Sequence, residues 1–288
     1  MKTAAVAFAS LRTIPPPVEP VPRLKHFRPK KRLGQSFLTH EPTADLMVNA
    51  LGATPDDVVL EIGPGKGVLT RRLAQIAARV VAVEIDARLV EFLRTELPGV
   101  ETVQADFLHW EPEGLDRLLV IGNLPYNISS QVLFRLLDRL YWTRAVLTTQ
   151  REFAERVLGR PGTKSYGALT VFCDRLVTRQ RLFNIPASRF KPPPDVVSTA
   201  FCLIRRSTPS FDVKDPKLFY RIVKAAFNQR RKTILNSLTS VLGIDKQKTE
   251  QALIHAGITP GQRAESIEPA GFQALTEALA DLLSISSR

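Results

Sequence analysis

The sequence predicts an α/β protein: a parallel sheet with helices on both faces, followed by a smaller all-helical domain. Three observations carry this. From Val58 onward, short apolar runs alternate with helix-period segments, the pattern of repeated strand–helix–strand units. The first four runs end at glycines, acids or an amide, at the carboxyl edge where such sheets collect ligands. From Leu218 to the end only helical periodicity remains.

Taken in order, residues 1–22 are rich in Ala and Pro and nearly free of acids. Residues 1–24 are expected to be a disordered leader, with organelle targeting the weaker alternative. Val58-Val59-Leu60-Glu61-Ile62 is a strand ending at glycines. A helix over 68–78 follows. Residues 80–83 form a second strand, ending at Glu84 and Asp86. A helix over 89–97 stops at Pro98-Gly99. Residues 103–105 form a third strand before Asp106, and 118–121 a fourth before Gly122-Asn123. A fifth is expected at 145–148, a helix at 166–176 with Leu169, Phe172, Cys173 and Leu176 on one face, and a late strand at 196–204. The stretch from Arg206 to Pro216 reads as a linker, with the boundary near 207. The domains are therefore drawn as 25–207 and 208–288.

The net charge is +12 and the pI about 10.0, and the excess is concentrated. Residues 1–40 hold eight Lys/Arg against one acid, Glu19, and residues 216–244 hold six against none. Two basic segments on a nearly neutral body point to a polyanionic partner. No apolar run approaches the ~18 residues of a membrane span. Cys173 and Cys202 stand apart in apolar surroundings, as reduced core thiols do. The histidines (His26, His40, His109, His255) are scattered, so no metal site is expected.

The strand ends carry the chemistry. In Glu61-Ile62-Gly63-Pro64-Gly65-Lys66-Gly67 the glycines let backbone approach a ligand, which suits more than one class of nucleoside cofactor. Glu84 closes the second strand, where a carboxylate accepts both hydroxyls of a ribose. Asp106 precedes Phe107 and Leu108. It suits an adenine amine beside an apolar pair, and equally a helix cap. Asn123-Leu124-Pro125-Tyr126 is the most specific element. The lone pair of an adenine amine is delocalised into the ring. Two acceptors, the Asn123 side-chain oxygen and the Leu124 carbonyl, can hold its hydrogens and aim that lone pair. Pro125 stiffens the turn, and Tyr126 offers a face to an unstacked base.

With these motifs in place, the chain resembles the small-subunit rRNA adenine N6,N6-dimethyltransferases (the KsgA/Dim1 family). The resemblance also rests on Lys31-Arg32-Leu33-Gly34-Gln35-Ser36-Phe37-Leu38, on Phe183-Asn184-Ile185-Pro186 through Phe190-Lys191-Pro192-Pro193-Pro194, and on Phe227-Asn228-Gln229-Arg230-Arg231-Lys232-Thr233-Ile234. It implies a Rossmann-like S-adenosylmethionine-dependent methyltransferase domain with a smaller all-helical C-terminal domain. It implies that Gln35, Ser36, Leu38, Gly63, Gly65, Glu84, Asp106 and Asn123 hold S-adenosylmethionine, released as S-adenosylhomocysteine. Asn123, Leu124, Pro125 and Tyr126 are the implied catalytic loop, and Tyr126 and Phe190 stack on the target base. The implied substrate is a pair of adjacent adenosines near the 3′ end of small-subunit rRNA, in a partly assembled particle. A cytoplasmic monomer without metal or membrane partner is expected. One position departs from the family pattern: Ser36 stands where Asn is usual, which puts a side-chain contact to the cofactor's methionine part in doubt.

Competing readings are a large-subunit rRNA adenine methyltransferase of the macrolide-resistance type, a non-catalytic ribosome assembly factor on the same fold, and an NAD oxidoreductase. The last has no visible use for Asn123-Leu124-Pro125-Tyr126.

Beyond Leu218, Phe219, Ile222, Val223 and Ala226 make an apolar stripe, and Arg221, Lys224, Asn228 and Arg231 a polar one. With Arg230 and Lys232 these cations are the candidate RNA-binding residues. The basic run over 23–32 either covers the cofactor or grips RNA. Neutralising Arg230, Arg231 and Lys232 together is expected to weaken binding to ribosomal particles and to flatten its salt dependence by roughly 0.7–0.9 per lost phosphate contact. An unchanged slope in a filter-binding salt series refutes this role.

Overall fold

The computed structural model describes residues 27–30, 33–229 and 231–285. The expected leader, Lys31, Arg32 and Arg230 lie outside them. The chain opens with a two-residue strand, β1 (Phe37–Leu38), and α1 (Glu41–Leu51). His40 caps α1 by accepting from Thr43 N, and Gly52 ends it in the left-handed region. Then come β2 (Val58–Ile62), α2 (Thr70–Leu73), β3 (Arg79–Glu84), α3 (Ala87–Glu96), β4 (Glu101–Gln104), β5 (Leu118–Asn123), α4 (Ser129–Arg139) and β6 (Trp142–Gln150). They are followed by α5 (Arg151–Val157), α6 (Ala168–Leu176), β7 (Val177–Ile185), β8 (Phe190–Lys191), β9 (Ser198–Arg205) and four helices: α7 (Pro216–Asn228), α8 (Ile234–Leu242), α9 (Lys246–His255) and α10 (Pro269–Ile285).

Seven strands form one sheet in the order β4-β3-β2-β5-β6-β9-β7, while β1 pairs with β8 in a separate antiparallel ribbon. The β4-β3-β2-β5-β6 pairs are parallel. Their residues are apolar on both faces, with Val59, Leu60, Val81, Ala82, Val120, Ile121, Val146 and Leu147 all buried, as a helix-covered parallel sheet requires. Crossovers through α3 and α4 bury Leu89, Val90 and Leu93, and Val132, Leu133, Leu136 and Leu137. The chain order reverses beside β2, so the carboxyl ends of β2 and β5 flank a topological switch point. At Gly122 a Cβ would lie 2.8 Å from the Ile62 carbonyl. Only glycine lets β5 close on β2 there.

The described residues fall into two compact units. One runs to Gln150 and resumes over Leu182–Cys202; the other holds Arg151–Arg181 and everything from Leu203. A single boundary near 207 does not describe this, because 151–181 belong with the C-terminal helices. Within that unit, Phe172 of α6 stacks on Tyr220 (4.8 Å) and meets Phe219 edge-on (6.0 Å). The Tyr166 hydroxyl donates to the Ile267 carbonyl at 2.8 Å.

Three local expectations change. The helix expected over 68–78 contracts to α2. Around it, i−3 bonds (Arg72 N to Leu69 O, Gln75 N to Arg72 O) mix with i−4 bonds, so the turn is tighter than a regular helix. β7 and the β1–β8 ribbon were not anticipated. Finally, α7 ends at Asn228, so Arg231 sits in the following turn rather than on the stripe of Arg221 and Lys224. The apolar stripe expected beyond Leu218 does form. Asp215 caps α7 by accepting from Lys217 N and Leu218 N, both at 3.0 Å, and its stripe of Phe219, Ile222, Val223 and Ala226 is buried. No helix among the described residues is long and apolar enough to cross a membrane.

Tyr166 is fully buried. Tyr166→Phe strips the Ile267 carbonyl of that donor and is expected to lower stability by about 1–2 kcal/mol in urea unfolding. No loss would mean the carbonyl is satisfied otherwise.

Candidate active site

The carboxyl ends of β2, β3, β4 and β5 open onto one cleft. It is lined by Gln35, Ser36, Gly63, Gly65, Glu84, Asp106, Asn123, Leu124, Pro125 and Tyr126, together with Phe37, Ile85, Phe107 and Asn127. Ten of the residues expected from sequence thus meet in one place. Leu38 instead borders a smaller cavity shared with Glu61, Gly63, Gly65, Lys66 and Asn123. Phe190 faces inward opposite Leu38 in the ribbon, 3% exposed, and borders neither cavity.

Gly63 follows β2 directly, with φ +67° and open space where a Cβ would stand. Gly65 has φ +57°, and its Cβ would meet Phe37 Cδ1 at 2.7 Å. The turn is therefore glycine both by conformation and by the close approach of Phe37. Glu84 is buried at the end of β3. Its Oε1 accepts from Ile85 N (2.9 Å) and Asp86 N (3.0 Å), and its Oε2 accepts from Gly65 N (3.2 Å). Burial raises its pKa and these three bonds oppose the rise. A carboxylate offers about four lone-pair directions, so acceptor capacity remains for hydroxyls entering the cleft. Asp106 is arranged as a cap. Its Oδ1 accepts from Leu108 N at 2.9 Å, as in a cap, and its carbonyl accepts from His109 N and Trp110 N. The residue still lines the cleft.

Asn123 brings an unpaired acceptor to the cleft. Its Nδ2 donates to the Ser36 carbonyl at 2.8 Å. That bond fixes which way the amide faces. Its Oδ1 is buried and has no partner in the structure. A buried acceptor left unpaired costs roughly 1–3 kcal/mol, an expense that a bound donor would remove. The loop behind it is pinned. Leu124 N donates to Thr148 O (3.0 Å), and the Pro125 carbonyl accepts from Ser129 Oγ (3.0 Å) and Ile128 N (3.2 Å). The half-buried Tyr126 has its hydroxyl 2.6 Å from Ser198 Oγ, and burial raises its pKa. Its ring is thereby held at the far end.

The roles of two residues escaped the sequence reading. Asp86 stood there only as a strand-end acid, and its wholly buried carboxylate binds Arg88, Gln35 Nε2 (3.1 Å) and Lys30 Nζ (3.1 Å). Gln35 lines the cleft with its amide turned onto Asp86, its Oε1 accepting from Lys30 N at 2.7 Å. Ser198 is the other, and nothing in its sequence neighbourhood marks it. Of the candidate RNA residues, Arg221 and Lys224 are exposed on α7 and line a groove with Arg156, Tyr220 and Asn228, Lys224 Nζ lying 4.7 Å from the Tyr220 ring. Arg231 and Lys232 are exposed in the next turn.

A parallel sheet bound at its switch point by glycine backbone and strand-end acids is the architecture of Rossmann-like methyltransferases. Solved structures share it. A dimethyladenosine transferase from Plasmodium falciparum superposes with a TM-score of 0.75 at 25% identity, covering 85% of this chain and 98% of that one. The 23S rRNA methyltransferase ErmE superposes with a TM-score of 0.65 at 32% identity, covering 85% and 99%. Residues 26–281 match the family described as ribosomal RNA adenine dimethylase, and the chain belongs to it. The ribosomal RNA small subunit methyltransferase A of Syntrophotalea carbinolica is 42% identical over 87% of this chain and 96% of its own length.

Glu61 gives the site a pH signature. It is 1% exposed, and burial, with the nearby Glu84 charge adding, pushes its pKa up to about 8. An unfolded Glu ionises near 4.3. Between about pH 4.5 and about 8 the folded chain holds a proton that the unfolded chain has lost. Stability therefore falls as pH rises through that window. Glu61→Gln is expected to remove this fall, at most about 1.4 kcal/mol per pH unit, when urea midpoints are compared at pH 5 and 8. An unchanged slope would place the proton elsewhere.

Proposed function

We propose that the protein transfers methyl groups from S-adenosylmethionine to N6 of two adjacent adenosines near the 3′ end of small-subunit rRNA, giving N6,N6-dimethyladenosine in a partly assembled cytoplasmic particle. Family membership and the 42%-identical small-subunit relative support the reaction and the subunit. The ErmE likeness is lower in identity, so the large-subunit alternative is not favoured. The observation that carries the chemistry is the fixed, buried, unpartnered Oδ1 of Asn123.

The residues fit the cofactor. Glu84 offers lone pairs to a ribose diol, Gly63 and Gly65 admit close approach, and Ile85, 47% exposed, is an apolar plate beside Phe107 and Asp106. When bound, the cofactor supplies a methyl group on a positively charged sulfur. The chain's own part is to shape the nucleophile. Asn123 Oδ1 and the Leu124 carbonyl accept the two amine hydrogens, which draws the nitrogen lone pair out of conjugation. Tyr126, braced by Ser198, stacks on the base and fixes its plane. The nitrogen becomes acidic as the new N–C bond forms, so its proton leaves without a strong base.

Labelled S-adenosylmethionine mixed with unmethylated small or large subunits, followed by mass spectrometry of the digested RNA, tests this. Dimethyladenosine is expected from small subunits alone. Asn123→Ala is expected to slow transfer by about 10²–10³-fold, and Tyr126→Phe, which keeps the ring, by far less than Tyr126→Ala. Label in large subunits alone would reassign the substrate. Full activity of Asn123→Ala would remove the acceptor mechanism.

A further inference from the structure

The cleft leaves two cations beside it unused. Lys66 stands between Gly65 and Gly67 in the glycine turn and is half-buried. Its Nζ lies 5.4 Å from the Phe27 ring and 5.6 Å from the Phe37 ring, and those rings meet edge-on at 5.7 Å. Phe37 is paired in register with Lys191 across the β1–β8 ribbon, and Lys191 is exposed. The two lysines thus approach the same aromatic shelf. Burial, and then the charge of Lys191, lower the pKa of Lys66. Neither lysine has a carboxylate partner among the described residues, while Lys30, Arg72, Arg79 and Arg88 in the same unit all do.

Like charges held together without an acid favour an anion between them. The position says which one. Neither lysine borders the main cleft. Lys66 does border the smaller cavity with Asn123, beside the acceptor. We infer that Lys66 and Lys191 form a phosphate clamp that grips the RNA backbone flanking the adenosine presented to Asn123 and Tyr126. The inference rests on the RNA methyltransferase reading above. A base drawn out of its stack brings its own phosphates to the rim of the site, and a cation pair there holds the strand while the base is positioned. The aromatic shelf keeps Lys66 in place through cation–π contact.

The test compares wild-type protein with Lys66→Gln/Lys191→Gln for binding to unmethylated small subunits across a salt series. Loss of about tenfold in affinity at low salt is expected, with the slope of log affinity against log salt reduced by about 1.4, from roughly 0.7 for each single-strand phosphate contact. Lys66→Arg/Lys191→Arg, which keeps the charges, should restore the slope. Affinity for S-adenosylhomocysteine by calorimetry should be unchanged, and the melting temperature of the Gln variant no lower than wild type. An unchanged slope overturns the clamp. So does an equal fall in S-adenosylhomocysteine affinity, which would assign the lysines to the cofactor's carboxylate. Wild-type binding without salt dependence would overturn the clamp together with the RNA reading beneath it, and that failure is visible before any variant is made.

Discussion

Asp86 holds together the connections on which the site depends. Its carboxylate is fully enclosed and accepts from five donors: the Arg88 backbone and two guanidinium nitrogens, Gln35 Nε2 and Lys30 Nζ. A buried carboxylate without partners costs several kcal/mol. With these partners it is held ionised, its pKa well below the usual carboxylate range, with the Arg88 bonds the largest cause. The same group caps α3. It therefore ties the end of β3 to the segment before β1, and through Gln35 it sets the next residue, Ser36, whose carbonyl takes the Asn123 amide. The free acceptor of Asn123 is the far end of a relay that begins at a buried ion cluster.

That relay accounts for the departure at position 36. Ser36 acts on Asn123 through its main chain, which any residue supplies. Its own hydroxyl donates to the Pro192 carbonyl at 2.9 Å, tying the β1 segment to the stretch after β8. At this position the side chain makes a cross-link within the protein. The geometry of Asn123 does not pass through the substituted side chain.

The sheet was legible because its signal is local. Strands buried on both faces read as unbroken apolar runs, and Glu84, Asp106 and Asn123 stand directly after such runs. What was not legible is set by distance along the chain. Ser198 reaches Tyr126 across 72 residues, and Leu38 meets Phe190 across the ribbon; no spacing within either segment announces the other. Phe190 packs inward, 3% exposed, while the next residue, Lys191, is exposed, an alternation that the motif alone does not reveal. The domain boundary slipped for a related reason. A linear reading gives each stretch to the domain that precedes the linker, whereas α5 and α6 leave one unit and pack with the other before β7 returns. The helix over 68–78 shortened because its apolar period is equally met by tight mixed turns.

Under the proposed mechanism, a site built this way explains how one amine can be methylated twice. The first transfer exchanges an N–H for an N–CH₃, so one of the two acceptors loses its donor. Were both acceptors mobile, the loop would reorganise and the lone pair would return to conjugation with the ring. Here the Asn123 amide is locked by Ser36 and Tyr126 is braced at its hydroxyl, which in the proposed mechanism fixes one acceptor and the plane of the base. The remaining hydrogen still meets a fixed acceptor, and only the exocyclic bond must turn. Rigidity in the protein thus leaves the single freedom that the second reaction requires. That rigidity traces back through Ser36 and Gln35 to the buried charge of Asp86.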